Sequence, residues 1–188
     1  MKGCADAVEH ALEFLDPTGQ DSRSIKMART EDTILYQFGA LPFSITEHGE
    51  VRVLLVTTRG RRDWIIPKGW PIRNLTAGAT AAREAYEEAG LLGTVVGEEP
   101  IGFYRYEKRR NARKAAIHEV SVFLFAVERQ LRKWPEKTER QTRWFAPAEA
   151  STLVAPAGLA DILQAATCHL LVPNHPLRNR HRASEARG

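Results

Sequence analysis

The stretch that decides the fold of this chain is GWPIRNLTAGATAAREAYEEAGL, which runs from Gly69 to Leu91. Within it, Glu84, Glu87 and Glu88 stand at i, i+3 and i+4, so their carboxylates share one side of a helix. Like charges this close repel one another, and a hard divalent cation with oxygen ligands relieves the repulsion. The spacing therefore predicts either a metal site or a solvated acidic helix face.

The other residues of this helix predict which side it buries and where it ends. Ala82, Tyr86 and Ala89 lie opposite the glutamates and are expected to form the buried stripe. Gly90 follows the last periodic residue, where a glycine commonly ends a helix. The sequence thus predicts a helix that stops at residue 89.

The stretch resembles the Nudix box of the Nudix hydrolases, whose pattern is G-x5-E-x7-R-E-U-x-E-E-x-G-U, with U a bulky aliphatic residue. It departs from the pattern at Leu75, where the first glutamate is expected, and at Ala85, where a larger aliphatic is usual. The resemblance implies an α/β fold of the Nudix type, an α/β/α sandwich with a mixed β-sheet between helices. The matching residues are Gly69, Arg83, Glu84, Glu87, Glu88, Gly90 and Leu91.

The resemblance also implies an enzyme that hydrolyses a pyrophosphate bond with the help of Mg²⁺ or Mn²⁺. Such a cation polarises phosphoryl oxygens and lowers the pKa of an attacking water. By the family pattern, Glu87 and Glu88 are the expected metal ligands, and the backbone carbonyl of Gly69 is a further one. Glu84 is expected to be another ligand or the base that deprotonates water. Arg83 is expected to orient Glu87, although an ordinary surface ion pair fits the same spacing.

Leu75 cannot replace a carboxylate, so any charge that the glutamate supplies elsewhere in the family is absent here. We expect Leu75 to be structural and to pack beneath the loop that precedes the helix. Because the three helix glutamates are present, an active enzyme is expected. The alternative is a Nudix-like module that binds a nucleotide or a phosphorylated metabolite without turnover.

Basic residues near the box predict contacts with an anionic small-molecule phosphate substrate. Lys68 directly precedes the box, and Arg59 and Arg62 belong to a basic turn after a predicted strand. Residues 105–114 hold six positive side chains and one glutamate, and this run is expected to form a loop. These cations are expected either to attract a polyanion or to be solvated. The candidates for substrate binding are Lys68, Arg59, Arg62, Arg105 and Arg109.

Residues 34–165 resemble one subgroup of the family, the diphosphoinositol polyphosphate phosphohydrolases. This finer resemblance rests on RDWIIPKG at 62–69, GFY at 102–104 and RWF at 143–145. It implies a strongly anionic substrate, either a highly phosphorylated inositol or a dinucleoside polyphosphate.

Composition and charge restrict the class of protein. Of the 188 residues, 43% are apolar and 27% are charged, as in soluble globular proteins. No apolar run approaches the roughly 20 residues that cross a bilayer, and no signal peptide is recognisable, so a cytoplasmic location without membrane attachment is expected. The net charge of +4 owes much to four arginines against one glutamate in residues 174–188. Nucleic-acid binding is therefore not expected, and RNA binding through that tail is the alternative.

The pattern of apolar residues divides the chain into three parts. Residues 1–31 are expected to form a short helix and a polar linker, residues 32–172 the Nudix domain, and residues 173–188 a disordered basic tail. The oligomeric state is left open. Strands are predicted at 34–45, 51–57, 64–66, 93–96, 101–106, 118–127 and 143–145, and helices near 147–150 and 159–171, besides the helix of the box.

Overall fold

The computed structural model describes the backbone of residues 34–111 and 114–171. It also describes the side chains of these residues, except those of 109–111, 114–115, 167–169 and 171. The predictions for residues 1–31 and 173–188 lie outside the described residues. In the described part of the chain, no helix has the length and apolar character that a membrane span requires.

The described strands form one mixed sheet. Its order is β3-β2-β1-β7-β5, with β4 paired to β1, β6 to β7 and β8 to β2. β1 and β7 run parallel over ten paired positions, and the other pairs are antiparallel. The strands are β1 (Ile34–Ile45), β2 (Val51–Thr57), β3 (Trp64–Ile65), β4 (Lys68–Gly69), β5 (Leu91–Val96), β6 (Gly102–Asn111), β7 (Lys114–Gln130) and β8 (Thr142–Phe145).

Helices cover both faces of this sheet. They are α1 (Ala77–Ala89), α2 (Pro147–Leu153) and α3 (Ala157–Leu171). Val120 and Val122 of β7 share a core with α2 and α3, whereas Phe123 and Phe125 share a second core with α1. This alternation shows that β7 is buried on both faces, and it confirms the predicted α/β/α sandwich.

Two local predictions are wrong. The described residues of the basic run, 105–111 and 114, do not form a loop, because they belong to β6 and to the start of β7, which pair with each other. Hydrogen bonds between backbones do not depend on side-chain charge, and cations are common on edge strands, where they discourage further pairing. The buried stripe of α1 is Ala81, Ala85 and Ala89, so the prediction is right for Ala89 and wrong for Ala82 and Tyr86, which are partly exposed. The small stripe lets the helix approach the phenylalanines of β7 closely, which accounts for an alanine at 85.

Candidate active site

Both ends of α1 are fixed, which sets the direction of its glutamates. The side chain of Thr76 accepts a hydrogen bond from the backbone N–H of Ala79 at 3.2 Å, capping the first turn. Gly90 ends the helix with a φ of 67°, as predicted. A Cβ at residue 90 would lie 2.6 Å from the ring of Trp134, so glycine is required there for space as well as for conformation.

Two of the three box carboxylates converge on β4. Glu88 is 4% exposed, and its Oε2 accepts the backbone N–H of Lys68 at 3.3 Å. The Glu84 carboxylate lies against Gly69 so closely that a Cβ at residue 69 would be 2.0 Å from its Oε1. The structure therefore brings together three of the residues predicted to form the metal site, Gly69, Glu84 and Glu88.

The third carboxylate turns to a different partner. The Glu87 Oε1 accepts a hydrogen bond from the Nε of Arg83 at 2.5 Å, which confirms the predicted ion pair. Their side chains are 32% and 55% exposed. The role of Glu87 as a metal ligand and the orienting role of Arg83 stay predictions.

Burial makes the carboxylates of this site costly to ionise. Burial is the largest cause that raises the pKa of Glu84, followed by the charge of Glu87. Burial also raises the pKa of Glu88 to about 7, against the opposing effects of the Arg140 and Lys68 cations. A nearby divalent cation would stabilise both charged forms.

The donor set fits a divalent cation held jointly with substrate. Among the described residues, no three His, Cys, Asp or Glu side chains lie close enough to hold a metal ion by themselves. Glu84 and Glu88 nevertheless supply two carboxylates beside the backbone of Gly69. Mg²⁺ is commonly bound by one or two carboxylates, with waters and substrate phosphates as the other ligands. These residues therefore suit Mg²⁺ or Mn²⁺ together with a phosphorylated substrate.

Arg140 is a member of the site that the sequence did not reveal. Its guanidinium donates to Glu88, to Glu136 at 2.6 Å and to the carbonyl of Thr57 at 2.9 Å. Arg140 is separated from Glu88 by 52 positions, and no motif or spacing links the two residues. Only the packing of the segment after β7 against the end of α1 brings them together.

Lys68 lies between the carboxylates and a cleft of about 690 Å³, because its backbone N–H donates to Glu88 and its residue lines the cleft. Its ammonium lies 5.4 Å from the centre of the Tyr106 ring. Burial is the main cause that lowers the pKa of Lys68, and the charges of Glu88 and Glu84 oppose this effect. The cleft is also lined by Thr58, Arg61, Asp63, Ile65, Tyr104, Tyr106, Glu107, Lys108, Ala155 and Pro156.

Arg59, Arg62 and Arg105 do not line this cleft, although Arg59 shares Glu136 with Arg140. Arg59 pairs with Glu136 and, at 2.7 Å, with Glu139, whereas Arg105 pairs with Glu119 at 2.7 Å. Arg62 is an exposed residue with a φ of 64° and does not line the cleft. The backbone of Arg109 belongs to β6, but its side chain lies outside the described part of the chain. Their roles in substrate binding stay predictions.

Leu75 does not pack beneath the loop, so that prediction is wrong. Its side chain is 44% exposed. The backbone N–H of Leu75 donates to the carbonyl of Ile72 at 3.1 Å, which closes a surface turn just before the helix. Ala77, two residues later, is the one that packs against the core beneath α1.

Comparisons with known proteins agree with this geometry. Residues 36–166 match the family model of the NUDIX domain. Nudix hydrolase 4 of Arabidopsis thaliana is 26% identical over 161 residues, which cover 84% of this chain and 75% of that protein. Diphosphoinositol polyphosphate phosphohydrolase 2 of Rattus norvegicus is 29% identical over 125 residues, which cover 65% of each protein. The crystal structure of the C. elegans Ap4A hydrolase shares the fold, with a TM-score of 0.54 and 15% identity over 73% of this chain and 99% of that one.

Proposed function

The chain belongs to the NUDIX family, and from that premise we propose that it is a divalent-cation-dependent enzyme that cleaves a pyrophosphate bond in a polyphosphorylated small molecule. The observation that carries this proposal is the convergence of Glu84 and Glu88 on the backbone of Lys68 and Gly69. Two carboxylates at a tight glycine beside a lysine-lined cleft suit a substrate whose phosphates share the cation.

The residues of the chain divide the chemical work. Glu84 and Glu88 would hold Mg²⁺ or Mn²⁺, which when bound neutralises phosphate charge and makes water a better nucleophile. Glu84 is also proposed to accept the proton of the attacking water, because its carboxylate lies against Gly69, beside the place proposed for the cation. Lys68 lines the cleft and is proposed to bind phosphate oxygens there.

The favoured substrates are diphosphoinositol polyphosphates and dinucleoside polyphosphates. Support comes from Lys68 and Lys108, which line one cleft with Arg61, Asp63 and Glu107; Arg61 pairs with Asp63 at 3.1 Å. The similarity to a rat diphosphoinositol polyphosphate phosphohydrolase points in the same direction. A substrate with several phosphates gains more from such a lining than a simple diphosphate does.

A turnover assay tests this function. Purified protein is incubated with diphosphoinositol, dinucleoside and nucleotide-sugar substrates, in Mg²⁺, in Mn²⁺ and in EDTA, and products are followed by ³¹P NMR. We expect metal-dependent cleavage that falls by about two orders of magnitude or more in Glu84→Gln and Glu88→Gln. Glu50→Gln, which alters an exposed acid paired with Arg52, is the matched control. Binding of these compounds without any product would instead identify a non-catalytic module.

A further inference from the structure

The Arg140 guanidinium joins three separate elements at the buried end of the site. It contacts Glu88 on α1, Glu136 in the segment between β7 and β8, and the last carbonyl of β2, that of Thr57. The Arg140 and Glu88 side chains are 10% and 5% exposed. This pair is therefore enclosed, in contrast to the exposed pair of Arg83 and Glu87.

The two oxygens of Glu88 are held very differently. Its Oε1 accepts from Arg140, in a charge-assisted bond. Among the described residues, its Oε2 accepts a hydrogen bond from the backbone N–H of Lys68 alone, at 3.3 Å, which is long and weak. Oε2 is consequently the oxygen on the side of β4, the strand in which Gly69 lies against the Glu84 carboxylate.

We propose that Arg140 is a positioning residue, which anchors Oε1 of Glu88 so that Oε2 is presented to a divalent cation beside Glu84. This inference rests on the proposed function, because it concerns the same metal site. Outer residues that orient a ligand commonly change metal affinity although they never touch the metal.

The position requires an arginine in particular. A guanidinium offers a rigid fork of donors that reaches three acceptors at once, whereas a lysine ammonium is a single flexible point of charge. The acceptors are also fixed in place, since the Glu136 N–H donates to the carbonyl of Glu87 at 3.1 Å and the Leu131 N–H to that of Gly90 at 2.8 Å. Arg140 thus holds the Glu88 carboxylate in a fixed position relative to Glu136 and the end of β2.

A purely structural clamp would behave differently. It would lower the thermal stability of the protein when removed, yet folded molecules would bind the cation as before. A positioning residue lowers the affinity of folded molecules for the cation, and the effect depends on Glu88. Metal binding measured apart from catalysis separates these two roles.

The test measures Mn²⁺ binding to the full chain without substrate, by electron paramagnetic resonance of free Mn²⁺, alongside thermal unfolding. We expect the Mn²⁺ Kd to rise about 10-fold or more in Arg140→Met and less in Arg140→Lys. Arg52→Met is the control, since Arg52 pairs only with the exposed Glu50 among the contacts described for it, and its Kd should match that of the wild type. Folded Arg140→Met with the wild-type Kd would overturn the inference.

A double-mutant cycle shows whether Arg140 acts through Glu88. In a Glu88→Gln background, Arg140→Met should change the remaining Kd by less than about two-fold, because residue 88 no longer has a carboxylate for Arg140 to position. An undiminished effect would contradict the proposal. Wild-type protein that binds no Mn²⁺ even when a non-hydrolysable dinucleoside polyphosphate is added would instead contradict the proposed function itself.

A measurement on the wild type covers the case in which no Arg140 variant folds. Side-chain ¹⁵N NMR of the arginines, with and without Mg²⁺, reports whether the Arg140 guanidinium rotates freely. We expect hindered rotation in both states, because Arg140 keeps Oε1 while Oε2 takes the cation. Free rotation after Mg²⁺ addition would show that Glu88 leaves Arg140, and the inference would be wrong.

Discussion

Gly69 and Glu84 touch so closely that no side chain fits between them, since a Cβ at residue 69 would lie 2.0 Å from the Glu84 Oε1. The glycine of the box is therefore explained by space at the carboxylate and not by backbone conformation, because Gly69 is not among the residues with positive φ in the described chain. The smallest possible substitution at residue 69 must displace the carboxylate.

Gly69→Ala is accordingly expected to lower kcat/KM by about 100-fold or more, through loss of the Glu84 position. Gly60→Ala is the matched control, because a Cβ at residue 60 meets nothing within 4 Å. Steady-state kinetics and thermal unfolding are measured for both variants. Wild-type kcat/KM in Gly69→Ala would show that the observed place of Glu84 is not the catalytic one.

The burial of Glu88 predicts a dependence of stability on pH in metal-free protein. Its pKa rises from an ordinary 4.5 to about 7, so the folded state holds the proton more tightly than the unfolded state. This contribution to the free energy of unfolding is fully present below the unfolded value and is lost as pH rises through about 7. The full loss amounts to about 3 kcal/mol.

Glu88→Gln removes this titration and isolates it from all others. Urea unfolding in EDTA is measured for both proteins between about pH 5 and pH 8. The wild type should lose stability relative to the variant as pH rises, whatever the offset caused by the changed contact with Arg140. Parallel profiles for the two proteins would contradict the prediction.

The sequence predicts those features of the fold that depend on a local pattern of neighbouring residues. Alternation in β7 identifies a strand buried on both faces, and Gly90 marks the end of α1, because a local rule governs each of them. Helical periodicity does not decide whether Ala81 or Ala82 is buried in α1, because that choice depends on the shape of the sheet below. The charge of the basic run favours a loop, although strand pairing is made by the backbone.

Some residues of the candidate site could be predicted from a local motif, and others are brought together only by the fold. Glu84, Glu88 and Gly69 were predictable because one motif within 20 positions carries them. Arg140 was not, because its link to Glu88 spans 52 positions and exists only after β7 returns the chain to α1. The ion pairs of Arg59 and Arg105 also depend on partners from distant segments or neighbouring strands. Pairwise contacts of this kind leave no period in a sequence.

Leu75→Glu tests whether the departure from the box pattern matters. Because Leu75 is 44% exposed, the substitution should change the free energy of unfolding by less than about 0.5 kcal/mol. Its effect on kcat/KM should be smaller than that of Glu84→Gln, since Glu84 and Glu88 already supply the carboxylates at β4. A large gain in kcat/KM would show instead that the natural leucine limits the enzyme.

Lys108 provides a test of substrate charge. It lines the cleft with Lys68, and its charge contributes to lowering the pKa of Lys68, so the two cations act on the same space. Lys108→Ala should raise KM for a dinucleoside or inositol polyphosphate about 3- to 10-fold, and less for a nucleotide sugar, because attraction grows with the charge of the substrate. The difference in KM between the two substrates should shrink from about 0.05 M to about 0.5 M NaCl, as screening shortens the reach of exposed charges.

Arg52→Ala, on β2 and outside the lining of the cleft, is the control for a lost surface cation. Equal changes in KM for both substrates, or a change that salt leaves unaltered, would place the phosphates away from this cleft.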